Sequence, residues 1–173
     1  MTGALIEDGV IRLRPLDVAD AASHLAGCDQ VIIDRLGAGE ASTPSQVAAW
    51  LGANASAWAE GGSVFDLGVE ETATDRLAGC VGIQRGLDYL SLGQVNLTYA
   101  VYAVWRGRGL ATRAVRLAME IARQRGHVTQ FVIRAAPDNV ESIRVAERLG
   151  FKLDHVEDDG LERLQWHVMN DES

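Results

Sequence analysis

The sequence predicts an α+β fold on three observations. Three consecutive segments rich in Val, Ile, Leu, Tyr and Phe occupy the middle of the chain, helix and strand patterns alternate after them, and 173 residues suffice for one domain with a real core. The alternation permits one parallel crossover inside an otherwise antiparallel sheet.

Val10 to Leu13 alternates and runs into Arg14-Pro15, a short strand ending where proline removes the ladder donor. Asp17 starts a helix whose small apolar residues recur from Val18 to Ala26, and Gly27 stops it. Thr43 caps a second helix with Pro44 in its first turn; Val47, Trp50, Leu51, Ala55 and Trp58 lie along one side, and Gly61-Gly62 closes it. Ser63–Glu70, Leu77–Gln84 and Gln94–Tyr102 read as three antiparallel strands separated by Thr74-Asp75 and Asp88-Tyr89. A helix from Gly109 to Arg125, a strand from Val128 to Ala135, a helix from Asn139 to Leu149, and strands at Lys152–Glu157 and Leu161–Val168 complete the series. No repeat, linker or low-complexity segment interrupts it, so residues 1–173 are expected to form a single domain.

Composition narrows the function. Hydrophobic residues are 47% and charged residues 23%, a globular balance, while a net charge of -8 opposes binding to nucleic acid or anionic membranes. No apolar run approaches the roughly 18 residues of a membrane span, and the first residues lack a basic leader, so a cytoplasmic protein is expected. Cys28 and Cys80 show no ligand spacing and read as a reduced, buried pair. His24, His127, His155 and His167 are scattered, and no metal site is expected.

The segment Arg106-Gly107-Arg108-Gly109-Leu110-Ala111 carries the first chemical signal. Its glycines let the backbone bend and approach a ligand, and the following helix presents unpaired N–H groups at its positive end. Two arginines add guanidinium groups suited to phosphate oxygens. The third glycine of a dinucleotide fingerprint is replaced by Thr112, and no Gly-Lys-Ser/Thr follows, which disfavours both common nucleotide loops. A second signal is Asn139 to Phe151, where Asp138 is expected to cap a helix, Glu141 to complete a capping box, and Gly150 to stop it. Capping and core spacing leave Asn139 and Ser142 unexplained in the first turn.

The loop, placed after an apolar strand, resembles the Arg/Gln-x-x-Gly-x-Gly/Ala cofactor loop of the GCN5-related N-acetyltransferases (GNAT), and Asn139 to Phe151 resembles that family's second cofactor element, Asn-x-x-Ala/Ser followed by Gly-Phe. The resemblance runs best from Leu77 to Phe151 and points to the ribosomal-protein N-terminal acetyltransferase-like branch. It implies a central mixed, mostly antiparallel twisted sheet of about seven strands flanked by about four helices. It also implies an acetyl-CoA-dependent N-acetyltransferase that moves an acetyl group to a primary amine, a peptide N-terminus or a small molecule, by direct attack, with a homodimer as a family-level expectation. Val101, Arg106, Gly107, Arg108, Gly109, Leu110, Ala111, Thr112, Asn139 and Ser142 are then the expected cofactor residues, with a strand amide near Val101 stabilising the oxyanion.

One departure stands out. Many members place Tyr four residues after the small residue as the acid for the leaving thiolate, and here that position is Ala146. Ser142 is the expected substitute, its alternative being local packing; the missing Tyr keeps open a non-catalytic coenzyme A-binding or sensing module. Glu70, at a strand end, is the candidate proton acceptor, against the alternative of a solvated carboxylate. Gln94 and Asn96 share a strand face and are candidates for the acceptor site or for an exposed sheet face. Trp50, Trp58 and Trp105 are an acceptor wall or ordinary core.

Overall fold

A computed structural model describes residues 6–36, 40–158, 160 and 162–171. The strands β1 (Ile6–Glu7), β2 (Ile11–Pro15), β3 (Val64–Glu71), β4 (Arg76–Gln84), β5 (Gln94–Val101), β6 (Gln130–Ala135), β7 (Lys152–Asp158) and β8 (Arg163–Asn170) form one sheet in the order β1-β2-β3-β4-β5-β6-β8-β7. Every adjacent pair is antiparallel except β5 with β6. The described residues form five α-helices: α1 (Ala21–Gly27), α2 (Gln30–Leu36), α3 (Pro44–Ala59), α4 (Leu110–Gln124) and α5 (Val140–Arg148). One more strand and one more helix than expected result from β1 and α2. Both are short, and α2 buries no residue, so neither leaves a hydrophobic period to read.

The core lies between the sheet and α4. Leu110, Ala114, Leu117, Ala118 and Ile121 recur on one helix face and pack with Leu13, Leu67, Val81 and Val95 of the sheet. A smaller cluster of Leu16, Val47, Leu51, Cys80 and Ala100 sits on the opposite face, beneath α1 and α3. Thr43 and Pro44 start α3 as expected: Thr43 accepts from the Gln46 amide, and the Gln46 side chain accepts from the Thr43 amide. Asp17 caps a single 3-10 turn, Val18–Asp20, that leads into α1. Cys28 and Cys80 are both free thiols.

Some boundaries differ from expectation. Pro15 pairs with Leu67 as the last residue of β2, and β6 begins at Gln130 rather than Val128. The expected start of the last strand, Leu161, lies outside the described residues; β8 begins at Arg163. Among the described residues no helix is long and apolar enough to cross a membrane.

Candidate functional site

The parallel contact between β5 and β6 is brief. Gln94, Val95 and Asn96 align with Gln130, Phe131 and Val132, and no pairing continues beyond them. β5 stays paired to β4 as far as Val101, and β6 stays paired to β8 as far as Ala135, so the two strands part like a V with Asn96 at its apex. Tyr102 gives its N–H to Ala78 on β4. By the alternation of an antiparallel ladder, the N–H groups of Tyr99 and Val101, beyond the last pair with β6, therefore point the other way, into the gap. Buried backbone donors of this kind require a partner.

A cavity of about 780 Å³ occupies the gap and its mouth. Val101, Gly107, Gly109, Leu110, Ala111 and Thr112 line one side. Asn139 and Ser142 line the other, and Arg106 also borders the cavity. Gly107 and Gly109 hold φ values of 76° and 75°, the left-handed region that glycine enters without strain. No side chain caps α4, whereas Thr43 caps α3 and Asn139 caps α5, so the first-turn N–H groups of α4 remain available at the cavity. Such a terminus favours phosphate oxygens.

The arginines of the loop take other partners. Arg106 grips Asp29 at 2.7 and 2.8 Å and donates from Nε to the Val101 carbonyl at 2.9 Å, tying the loop to the segment before α2. Arg108 is outside the cavity lining; its guanidinium lies over the Trp105 ring, 5.0 Å from the centroid. The glycines and the helix end, rather than these guanidinium groups, thus shape the cavity surface at the start of α4.

Asn139, not Asp138, caps α5: its side chain accepts from the Ser142 amide at 3.3 Å. Asp138 instead holds Arg35 of α2 at 2.7 and 3.1 Å. Paired at one end through Asp29 and at the other through Arg35, α2 spans the mouth of the gap, where Val31 and Ile32 line the cavity.

Ser142 does not stand alone. The Tyr99 hydroxyl lies 2.7 Å from Ser142 Oγ and 3.2 Å from the Ser142 carbonyl. Burial pushes the Tyr99 phenol up to about 12, and the hydrogen bond with Ser142 offsets part of that rise. The phenol therefore stays protonated at neutral pH. Ala146, where the family pattern often has Tyr, is fully buried in the core. A phenol reaches the cavity from the facing strand instead, which sequence spacing along one helix does not disclose. The available signal was a polar-tipped residue, Tyr99, inside an apolar strand next to the loop.

Other expected residues fall elsewhere. Glu70 is outside the cavity lining, and both its carboxylate oxygens are taken: Arg12 Nε donates at 2.6 Å and Arg14 Nε at 2.8 Å. Arg14 in turn holds Asp20, and Arg12 reaches Asp75. With its oxygens held by two guanidinium groups, Glu70 is unsuited to accept a substrate proton. Gln94 bonds Gln130 and the Ser91 amide away from the cavity, whereas Asn96, 2% exposed, lines it. Asn96 Nδ2 donates to Gln84 at 2.7 Å, and its Oδ1 is buried without a partner. The tryptophans form no common wall: Trp105 borders the cavity, Trp58 packs edge-on against Phe65, and Trp50 sits by His24.

Comparison with known proteins bears on family and fold. The family model described as an acetyltransferase (GNAT) domain matches residues 11–152. Among solved structures, the ribosomal L7/L12 α-N-protein acetyltransferase RimL in complex with coenzyme A superposes with a TM-score of 0.83 at 14% identity, covering 97% of this chain and 98% of that one. The ribosomal-protein-S5-alanine acetyltransferase from Vibrio fischeri gives a TM-score of 0.81 at 15% identity, with 97% of each chain covered. The microcin C7 self-immunity acetyltransferase MccE, in complex with acetyl-CoA and AMP, gives 0.76 at 18% identity over 94% of this chain and 93% of that one. At such identities the likeness is one of fold. No curated protein matches the chain in sequence. On the family match over most of its length, the chain belongs to the GNAT acetyltransferase family and is an acetyl-CoA-dependent N-acetyltransferase.

Proposed function

We propose that the gap between β5 and β6 holds the pantetheine arm and thioester of acetyl-CoA, with the pyrophosphate at the Gly107–Thr112 turn, and that a primary amine attacks the thioester directly. The observation that carries this reading is the unpaired inner edge of β5 opening onto the uncapped start of α4. A cavity near 780 Å³ is of the size that binds a cofactor-sized ligand. When bound, acetyl-CoA supplies the activated acetyl group; the residues position it and move protons.

The backbone N–H of Val101 offers a hydrogen bond to the carbonyl oxygen as charge develops there. Tyr99, through its bond to Ser142, donates the proton that the departing sulfur takes; Ser142 orients the phenol and shares its proton. This pair restores the acid whose absence from the helix left room for a purely binding role. Asn139 holds the first turn of α5 in place. Asn96, at the apex, offers its unpaired Oδ1 to an amine N–H.

The acceptor we favour is a peptide N-terminal amine, with small-molecule amines as the second class; similar folds include a ribosomal L7/L12 α-N-protein acetyltransferase and a ribosomal-protein-S5-alanine acetyltransferase. We take residues 1–173 as one catalytic domain working in the cytoplasm. Thiol release from acetyl-CoA tests the reading, using tetrapeptides beginning with Ser or Ala beside spermidine and free amino acids. Release stimulated by at least one amine supports it. Calorimetric binding of acetyl-CoA with no stimulated release would overturn it.

A further inference from the structure

A row of three residues crosses the sheet from β3 to the gap: Asp66 aligns with Gly82, and Gly82 with Thr98. Aligned residues face the same side, here the side of α1 and α3 rather than α4. The middle residue has no side chain, and this is a packing requirement. A Cβ on Gly82 would lie 2.3 Å from Thr98 Oγ1 and 2.5 Å from Asp66 Oδ1, so both oxygens border the space above the glycine, with no direct hydrogen bond between them. Thr98 lines the cavity; Asp66 lies one strand further from it than Gly82.

Asp66 is held firmly. Asn54 of α3 donates to its carbonyl at 2.8 Å and accepts from its amide at 2.5 Å, and the Trp50 side chain of the same helix lies beside its carboxyl. Among the described residues no cation pairs with it. Its titratable surroundings are Cys80 of β4 and, farther off, Cys28 and His24 at α1 with Tyr102 after β5. His24 is pushed down by burial, and the two thiols and the phenol are pushed up, so all four are neutral at pH 7. A desolvated carboxylate without a countercharge binds a proton more strongly than an exposed one, and burial does raise Asp66 from its ordinary value.

We propose that Asp66 is the proton acceptor for the incoming ammonium group and works through the Thr98 hydroxyl. The proposal rests on the acetyl-transfer reading of the same gap. Thr98 Oγ1 takes one proton from the ammonium and passes its own, through one water above Gly82, to the Asp66 carboxylate, leaving a neutral amine, an intact hydroxyl and a carboxylic acid. After attack, the nitrogen loses a second proton to water. Tyr99 gives one to the sulfur and regains one from water, and Asp66 returns its proton to solvent as product leaves. One proton is released per turnover. Gly82, having no side chain, leaves the space that this relay crosses.

The experiment uses the full chain and the panel amine with the highest kcat/KM. At pH 7, Asp66→Asn and Thr98→Val are each expected to lower kcat/KM for the amine about 100-fold, the lower end of general-base effects. Acetyl-CoA affinity by calorimetry stays within twofold of the wild type, about 0.4 kcal/mol. Thr98→Ser, which keeps a hydroxyl, restores most of the rate. For Asp66→Asn, log kcat/KM climbs with unit slope to the amine's own pKa, whereas the wild type levels off earlier. Equal losses at every pH, or a Thr98→Val enzyme as fast as the wild type, would overturn the proposal. Absence of release by the wild type with every amine would count against the acetyl-transfer reading itself. Carbon NMR titration then decides the acid: the carboxyl resonance that Asp66→Asn removes is expected to titrate above the ordinary carboxylate range, and a midpoint at or below that range would overturn its role.

Discussion

Glu70 and Asp66 lie four residues apart on β3 and live in opposite surroundings. Glu70 is gripped by Arg12 and Arg14 and joined through Arg14 to Asp20, a network whose charges answer one another. Asp66 faces a hydroxyl across a bare glycine, with an indole and the Cys80 thiol beside it and, among the described residues, no cation. The sheet thus uses one carboxylate to hold β2 against β3 and buries the other, two strands from the gap, without a countercharge among the described residues. Residue type at a strand position says little here; the neighbours across the strands decide.

The contrast can be broken from the structural side first. Glu70→Gln leaves Arg12 and Arg14 short of a countercharge in a half-buried place, so it is expected to cost about 3 kcal/mol in urea unfolding, the scale for breaking such a pair. The folded fraction keeps its turnover number. A variant as stable as the wild type but slow would return Glu70 to the catalytic role.

From the chemical side, Tyr99→Phe removes the hydroxyl that meets Ser142 and is expected to lower kcat by about 10- to 100-fold, at or just below the usual range for a general acid. The KM for acetyl-CoA changes little. Ser142→Ala should cost less than Tyr99→Phe; the reverse order would make Ser142 the acid and Tyr99 its support.

The two carboxyl environments also predict opposite pH effects on stability. Burial alone would raise Asp20, yet the hydrogen bonds from Arg14 and the Asp17 amide outweigh it and hold the carboxyl below its usual value. Its stabilisation is therefore fully present above the unfolded value of about 3.9 and lost as pH falls through the lower folded value. Asp66 is raised instead, so its burden on stability grows as pH climbs from the unfolded value through the folded one. Asp66→Asn should then unfold at higher urea concentration than the wild type at pH 7 and at about the same concentration at pH 3.5. Lower stability of the variant at both pH values would contradict the buried, unpaired ionisation.

The smallest effect belongs to the surface. Arg35→Ala frees one end of α2, and since the pair with Asp138 is exposed, the loss of global stability should stay below about 1 kcal/mol. Hydrogen exchange in residues 30–36 is expected to speed up while exchange in β4 does not. Unchanged exchange there would show that α2 is held by its other contacts.

These residues also show how far the sequence alone reaches. The loop at Gly107 and Gly109, the Thr43 cap and the helix after Asn139 are local patterns, and each was legible because cause and effect lie within one turn. Helix α2 was not: its Asp29 cap, which accepts from the Ile32 amide, is just as local, but its seven residues bury no side chain and leave no hydrophobic period to follow it. The Tyr99–Ser142 pair and the Asp66–Gly82–Thr98 row were invisible for a different reason. They depend on which residues of separate strands and helices come into register, and no spacing along the chain encodes that. Glu70 was misread on the same ground: its position suggested a free strand-end acid, and its partners come from a strand nearly sixty residues earlier.

The most direct test of the whole account is calorimetric titration of acetyl-CoA into the wild type and into Gly109→Asp. The account predicts binding to the wild type and an affinity at least about 100-fold weaker in the variant, roughly 2.7 kcal/mol, because a carboxylate and a strained left-handed backbone would face the phosphates at the start of α4. Equal affinity in the two proteins would place the cofactor somewhere other than the gap between β5 and β6.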